Sequence, residues 1–258
     1  MSTLEGLPEG SRALIEAAVA AVERALGDQL IAACLIGAAA RPELLIVARE
    51  LSPEALRVLA QALAEPLQAG LQIRTVTDPE LRGSVDVHAL ELAQWRDSNR
   101  LLAGRDPFAE LEIAAVDLRH EIERALRTLG HRLRNRLLWC LATEQRRLDA
   151  LLRESLERLI GLARQSLRLL GEPTPEDDGA ALEAFLRWAG AELEAVSGLR
   201  ARLCGERPGT DPKAGEAKRS AAPRGPTDPI AELAALAAAT AAATAAVDAL
   251  DLSRQAAR

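Results

Sequence analysis

The hydrophobic pattern changes period once, near Gly104, and that change constrains the fold more than any other feature. Upstream, apolar residues come in short runs closed by breakers: residues 29–36 (QLIAACLI, then Gly37), 43–47 (ELLIV) and 71–76 (LQIRTV). Runs this short do not make independent helices and predict strands, the first two buried on both faces. Residues 85–92 (VDVHALEL) alternate and predict a fourth strand, with Val85, Val87, Ala89 and Glu91 on one face. Two helices are expected among them. Residues 11–26 repeat Leu14, Ala18, Val22 and Leu26 behind Ser11 and stop at Gly27. Residues 52–64 open with Ser52 as a cap and Pro53 at the first helical position.

Downstream, leucines recur at three-and-four spacing over residues 113–142, 143–170 and 175–203, with a bend expected at Gly130. Facing stripes on short connections predict an antiparallel bundle. The expected fold class is therefore α+β: a small mixed sheet with flanking helices in residues 1–110, then a mainly antiparallel helical bundle in 111–205. Residues 206–228 are rich in Pro, Gly and charges of both signs and read as a flexible linker. Residues 229–250 hold 12 alanines, and alanine favours helix. Its larger residues Ile230, Leu233, Thr240, Thr244 and Val247 form a seam, so this helix is expected to pack on the bundle as its fourth member.

Composition excludes some functions. The chain of 258 residues has three Trp, two Phe and no Tyr, too few for a base-stacking RNA reader. A net charge of −6 disfavours nucleic acid and acidic membranes as partners. The Ala/Thr run is too weakly apolar to predict a membrane span. No start typical of a secretory signal is seen, and Cys34, Cys140 and Cys204 are odd in number and far apart. They read as buried free thiols, and the expected location is the cytoplasm. His88 and His120 have no companion at ligand spacing, and no metal site is expected.

The order helix, strand, Gly, strand, helix, strand, then a helical bundle, resembles the nucleotidyltransferase fold of the DNA polymerase β superfamily. There, a strand ends in Gly-Ser and the next opens with Asp-x-Asp. The stretch LIGAAARPELLIV (residues 35–47) is similar in arrangement. Residues 83–108 (GSVDVHALELAQWRDSNRLLAGRDPF) and 118–138 (LRHEIERALRTLGHRLRNRLL) resemble two further blocks of a bacterial branch of that family. The resemblance implies a nucleotide cleft beside Gly37, whose backbone N–H could receive phosphate. It aligns Arg41 and Glu43 with the metal-binding aspartates and Glu91 with a third carboxylate.

The departures carry as much weight. Gly37 is followed by Ala38 rather than Ser, the loop is short, and Arg41 replaces a carboxylate. Nucleotidyl transfer uses two cations about 4 Å apart on several carboxylates. An arginine inverts the charge there, because a guanidinium stays protonated. Glu43 and Glu91 are then catalytic remnants, and no cofactor is expected; Mg²⁺ enters only if the enzyme is active.

An arginine face adds a second candidate. Residues 124–143 hold five arginines and no acid, and Arg124, Arg127, His131 and Arg134 share one helical side. It reads either as phosphate-binding or as a solvated face paired with acids such as Glu154 and Glu157. Arg124-x6-His131 also fits the loose spacing of HEPN ribonucleases. The leading expectation is a catalytically degenerate nucleotidyltransferase-like protein acting through a nucleotide or protein partner, or as a homo-oligomer. The alternatives are an active nucleotidyltransferase modifying a small molecule or protein, and a HEPN or antitoxin-type member of a two-protein system.

Overall fold

The computed structural model describes residues 4, 7, 9–37, 42–143, 147–204 and 229–250. Its two compact units are Met1–Leu118 and Arg119–Arg258. The fold is α+β, with a mixed four-stranded sheet in the first unit and helices in the second.

In the first unit, helix α1 (Glu9–Leu26) buries Ile15, Ala18, Val19, Val22 and Leu26 and ends at Gly27. Strands β1 (Leu30–Ile36) and β2 (Glu43–Ala48) pair antiparallel, with Ile36 opposite Glu43. Both are buried almost throughout because helices cover both faces of the sheet. Ala33, Leu35, Leu44 and Ile46 pack with α1 and with Leu59 of α2 (Pro53–Ala62). Cys34, Ile36, Leu45 and Val47 pack on the other face with Leu81 and Leu92. A bulge between Leu30 and Ala32 brings Ile31 and Ala32 into this second cluster together. Ser52 caps α2 by accepting the Ala55 N–H. One more turn, α3 (Ala64–Gln68), leads to β3 (Gln72–Thr77), which runs parallel to β2.

Two expectations about this unit are corrected. Residues 85–92 are not a strand. After α4 (Asp78–Gly83) the chain turns, and α5 (Ala89–Ser98) begins inside the expected strand. The alternation Val85-Asp86-Val87-His88 spans one turn, Val87 is 59% exposed, and the His88 N–H bonds the Ser84 carbonyl. From Ala89 the buried positions Ala89, Leu90, Leu92 and Ala93 follow helical spacing. The fourth strand is instead β4 (Arg100–Gly104), antiparallel to β1, giving the order β3-β2-β1-β4. Only three apolar residues lie between Arg100 and Gly104, so the run is too short to stand out.

In the second unit, α6 (Ala115–Ala142) enters from the first and continues as a long helix. It is followed by α7 (Leu148–Leu169), closed by Gly171 at φ 70. The expected third helix is two helices, α8 (Asp178–Trp188) and α9 (Glu194–Cys204). Gly190 adopts φ 69, and the Ala191 N–H bonds the Leu186 carbonyl, which ends α8 in a glycine cap. Helix α10 (Pro229–Asp248) buries Leu233, Leu236, Ala239, Thr240, Ala243 and Val247. Ile230, expected in that seam, is 48% exposed. Helices α6 and α10 run antiparallel: Arg119 and Arg127 reach Asp248, and Gly130 faces the Thr240 methyl group. By length and composition residues Ile230–Asp248 could cross a membrane, with a mean hydropathy of 1.7, and 33% of that stretch is buried within the protein. The expected linker, 206–228, lies outside the described residues.

Candidate functional site

Sheet register gathers the first cluster. Glu43 opens β2, and Arg74 of β3 pairs with Leu45, two residues further along. Side chains two apart on a strand share a face, so Arg74 and Glu43 lie on the same side, under α5. The guanidinium Nε donates to Glu43 Oε2 at 2.6 Å, and Nη1 donates to Glu91 Oε1 at 3.0 Å. One turn along α5, the Trp95 ring lies 5.5 Å from Arg74 Cζ, a cation–π distance. His88 Nδ1 stands 4.0 Å from the second Glu91 oxygen. The hydrogen bond that Arg74 donates to Glu43 is the main cause of its raised pKa, and the charges of Glu43 and Glu91 add to it. The three charged side chains are 33–46% exposed, so solvent screens these pairs.

Glu43 and Glu91 thus converge on an arginine. They do not fit a divalent-cation site. Each carboxylate is turned onto a guanidinium, and a dication there would share the space with a permanent positive charge. Among the described residues no group of three His, Cys, Asp or Glu is placed to hold a metal ion. Arg41 and Ala38 lie outside the described residues.

Gly37 follows Ile36 at the end of β1 with φ 84. Its N–H, the candidate phosphate donor, donates to Ser98 Oγ at 2.9 Å, and that hydroxyl donates to the Gln94 carbonyl at 2.9 Å. An open depression of about 230 Å³ lies beside it, lined in part by Pro42, Ser98 and Asn99.

Two arginines of the arginine face, Arg124 and Arg127, are matched by carboxylates. Arg124 is held bidentately by Glu121, both contacts 2.8 Å. Arg127 donates to Glu123 at 2.8 Å and to Asp248 at 3.3 Å. These hydrogen bonds raise both guanidinium pKa values. Arg134 has a different neighbour, His131 Nδ1 at 3.2 Å. Glu154, expected as a counter-ion for this face, pairs with Arg158 of its own helix. Arg124 and His131, the HEPN-like pair, have separate partners. Cys34 and Cys140 are buried free thiols, and burial, helped by the Asp106 charge, pushes the Cys34 pKa up to about 12. Cys34 is therefore no ready nucleophile at neutral pH. The side chain of Cys204 lies outside the described residues.

Sequence reasoning missed Arg74, Trp95 and Ser98. The alternation of residues 71–76 placed Arg74 on a strand face, but its partners come from two other elements. In contrast, Glu121 and Glu123 stand three and four residues before Arg124 and Arg127, a spacing visible in the sequence. In comparisons with known proteins, no family model and no curated sequence matches this chain.

Proposed function

We propose that the chain is a nucleotidyltransferase-like protein of the cytoplasm that has lost transfer chemistry and acts by binding a nucleotide or protein partner, or by assembly. The observation that carries this reading is the Arg74 guanidinium bound to both Glu43 and Glu91. The order α1, β1, Gly37, β2, α2, β3 supports the kinship, and the Ser98 hydroxyl on the Gly37 N–H supports the loss. Two buried free thiols agree with a reducing compartment.

The test is calorimetry of ATP with and without magnesium, beside a pyrophosphate-release assay. Wild-type protein is expected to show no magnesium-dependent tightening and no release above background. Replacing Arg74 by Gln frees both carboxylates and is expected to let magnesium bind weakly. Release by the wild type that Glu43→Gln and Glu91→Gln abolish would overturn the reading in favour of an active transferase. The convergence of the two carboxylates is the observation that keeps this alternative in view.

A further inference from the structure

The end of α6 is mostly exposed, with Arg147 Cζ lying 5.8 Å from the centroid of the Trp139 ring. From His131 to Trp139 only Leu133 is buried, and Leu137 is half-buried. Arg132, Arg134, Asn135 and Arg136 are exposed, and so are two large apolar side chains, Leu138 at 68% and Trp139 at 42%. A solvent face of a helix ordinarily mixes charges of both signs. This one has no acid, and among the described residues Arg132, Arg134 and Arg136 have no carboxylate partner. Helical geometry places Leu138 and Trp139 on either side of His131 and Asn135, with Arg132 and Arg136 on the Trp139 side. Exposed Trp flanked by Arg is the composition of an interface centre rather than of a solvated surface.

The complementary surface is on the same chain. Glu9, Glu16 and Glu23 of α1 are exposed and spaced by seven, so they form one acidic edge. Beside it run the exposed Ala13, Ala17 and Ala20, small enough for a second helix to approach closely. The two arginines of α1 do not answer these acids: Arg12 donates to the Leu7 carbonyl and Arg24 to the Ala20 carbonyl. Among the described residues Glu9, Glu16 and Glu23 have no basic partner.

We propose that the chain self-associates by laying α1 of one copy along the end of α6 of another. The alanine strip packs on Leu138 and Trp139, and Glu16 and Glu23 meet Arg132 and Arg136. Reciprocal contacts close a dimer, and one-way contacts build longer assemblies. The occupant is a second copy because acidic edge and basic face are both built into one sequence. This rests on the assembly part of the proposed function and not on the Arg74 cluster, so magnesium titration and mass measurement fail independently.

The test is light scattering of the full chain at low and high salt, with two charge reversals. One carries Arg132→Glu and Arg136→Glu; the other carries Glu16→Lys and Glu23→Lys. All four sites are exposed, and circular dichroism checks that helix content is kept. Wild-type protein is expected to exceed monomer mass at roughly 100 µM in low salt and to fall towards it as salt screens the pairs. Each reversed variant is expected to be monomeric, and an equimolar mixture of the two is expected to regain the assembly. Trp139→Ala, which leaves every charge in place, is expected to weaken it at least tenfold. A monomeric wild type, an unchanged mass in the reversed variants, or a mixture that stays monomeric would each overturn the proposal.

Discussion

Arg74 takes its two carboxylates from 31 and 17 residues away, on another strand and on a helix. Arg124 and Arg158 take theirs from three or four residues away on the same helix, and Arg127 takes one such partner, Glu123, besides Asp248. Strand and helix positions therefore place charge by different rules. On a helix, neighbours three or four apart meet whatever the tertiary fold, so local pairs form and are worth tenths of a kcal/mol. In a sheet, register and crossover decide which groups meet. The Arg74 cluster is gathered by topology and not by spacing, because its members come from two strands and a helix. The helical unit has long-range pairs where helices dock: Arg202 of α9 reaches Glu232 of α10 and Asp149 of α7. These join elements whose packing is fixed mainly by leucine.

The largest test of that contrast removes a whole element. Deleting residues 229–258 takes away Leu233, Leu236 and Val247, each at most 2% exposed. At about 2 kcal/mol for each such side chain, the helical unit loses several kcal/mol, and Glu232 no longer answers Arg202. Trp188 and Trp139 report on this unit and Trp95 on the sheet unit. Denaturant unfolding is expected to show the Trp188 signal melting early and the Trp95 signal unchanged. A common shift of both would mean that the units unfold as one.

A single methyl group sharpens the comparison further. Gly104 ends β4 at φ 81, and a Cβ there would strike the Ile31 carbonyl of the neighbouring strand. Gly104→Ala is expected to destabilise the sheet unit by about 2–4 kcal/mol. Gly130 lies inside α6, and its Cβ would meet Arg134 at 3.8 Å and Thr240 at 3.9 Å, ordinary contacts. Gly130→Ala is expected to stabilise the helical unit by about 0.5–1 kcal/mol, because glycine is the poorer helix former. Opposite signs for the same chemical change, read as midpoint shifts of Trp95 and Trp188, are the expected result. Equal signs would show that backbone geometry does not separate the units.

Much of this fold was legible because the signals were local. The buried strands at 29–36 and 43–47 announced themselves as apolar runs too short for helices. Ser52-Pro53 marked the start of α2, and Gly27 marked the end of α1. The misreadings came where a local signal was weak or shared. Val85 and Val87 alternate for one turn only, and β4 has three apolar residues whose strand identity comes from pairing with β1. The break between α8 and α9 was written in Gly190, but the leucine periodicity on both sides hid it. The candidate site was half legible. Glu43 and Glu91 were found through the resemblance; Arg74 was not, because nothing in LQIRTV says which carboxylates will face it.

The smallest expected effect concerns two exposed caps, one in each unit. Asp177 caps α8 by accepting the Ala180 N–H at 2.7 Å, and this bond, with the Arg200 charge, holds its carboxyl below the ordinary 3.8. Glu80 closes the capping box of α4, and its bonds from the Thr77 N–H and hydroxyl hold it below the ordinary 4.5. A carboxyl whose folded pKa lies below its unfolded value gives stability that is complete above the unfolded pKa. That stability disappears as pH falls through the folded pKa. Both caps therefore contribute fully at neutral pH, with the Glu80 contribution fading first, below about 4.5, and the Asp177 contribution below about 3.8. Asp177→Asn keeps an acceptor but removes the titration, so it is expected to flatten the acid limb of the Trp188 midpoint alone. Glu80→Gln is expected to do the same for Trp95. Denaturant midpoints between pH 6 and pH 2.5 read both, and an acid limb that neither substitution changes would move the acid sensitivity of each unit to other carboxylates.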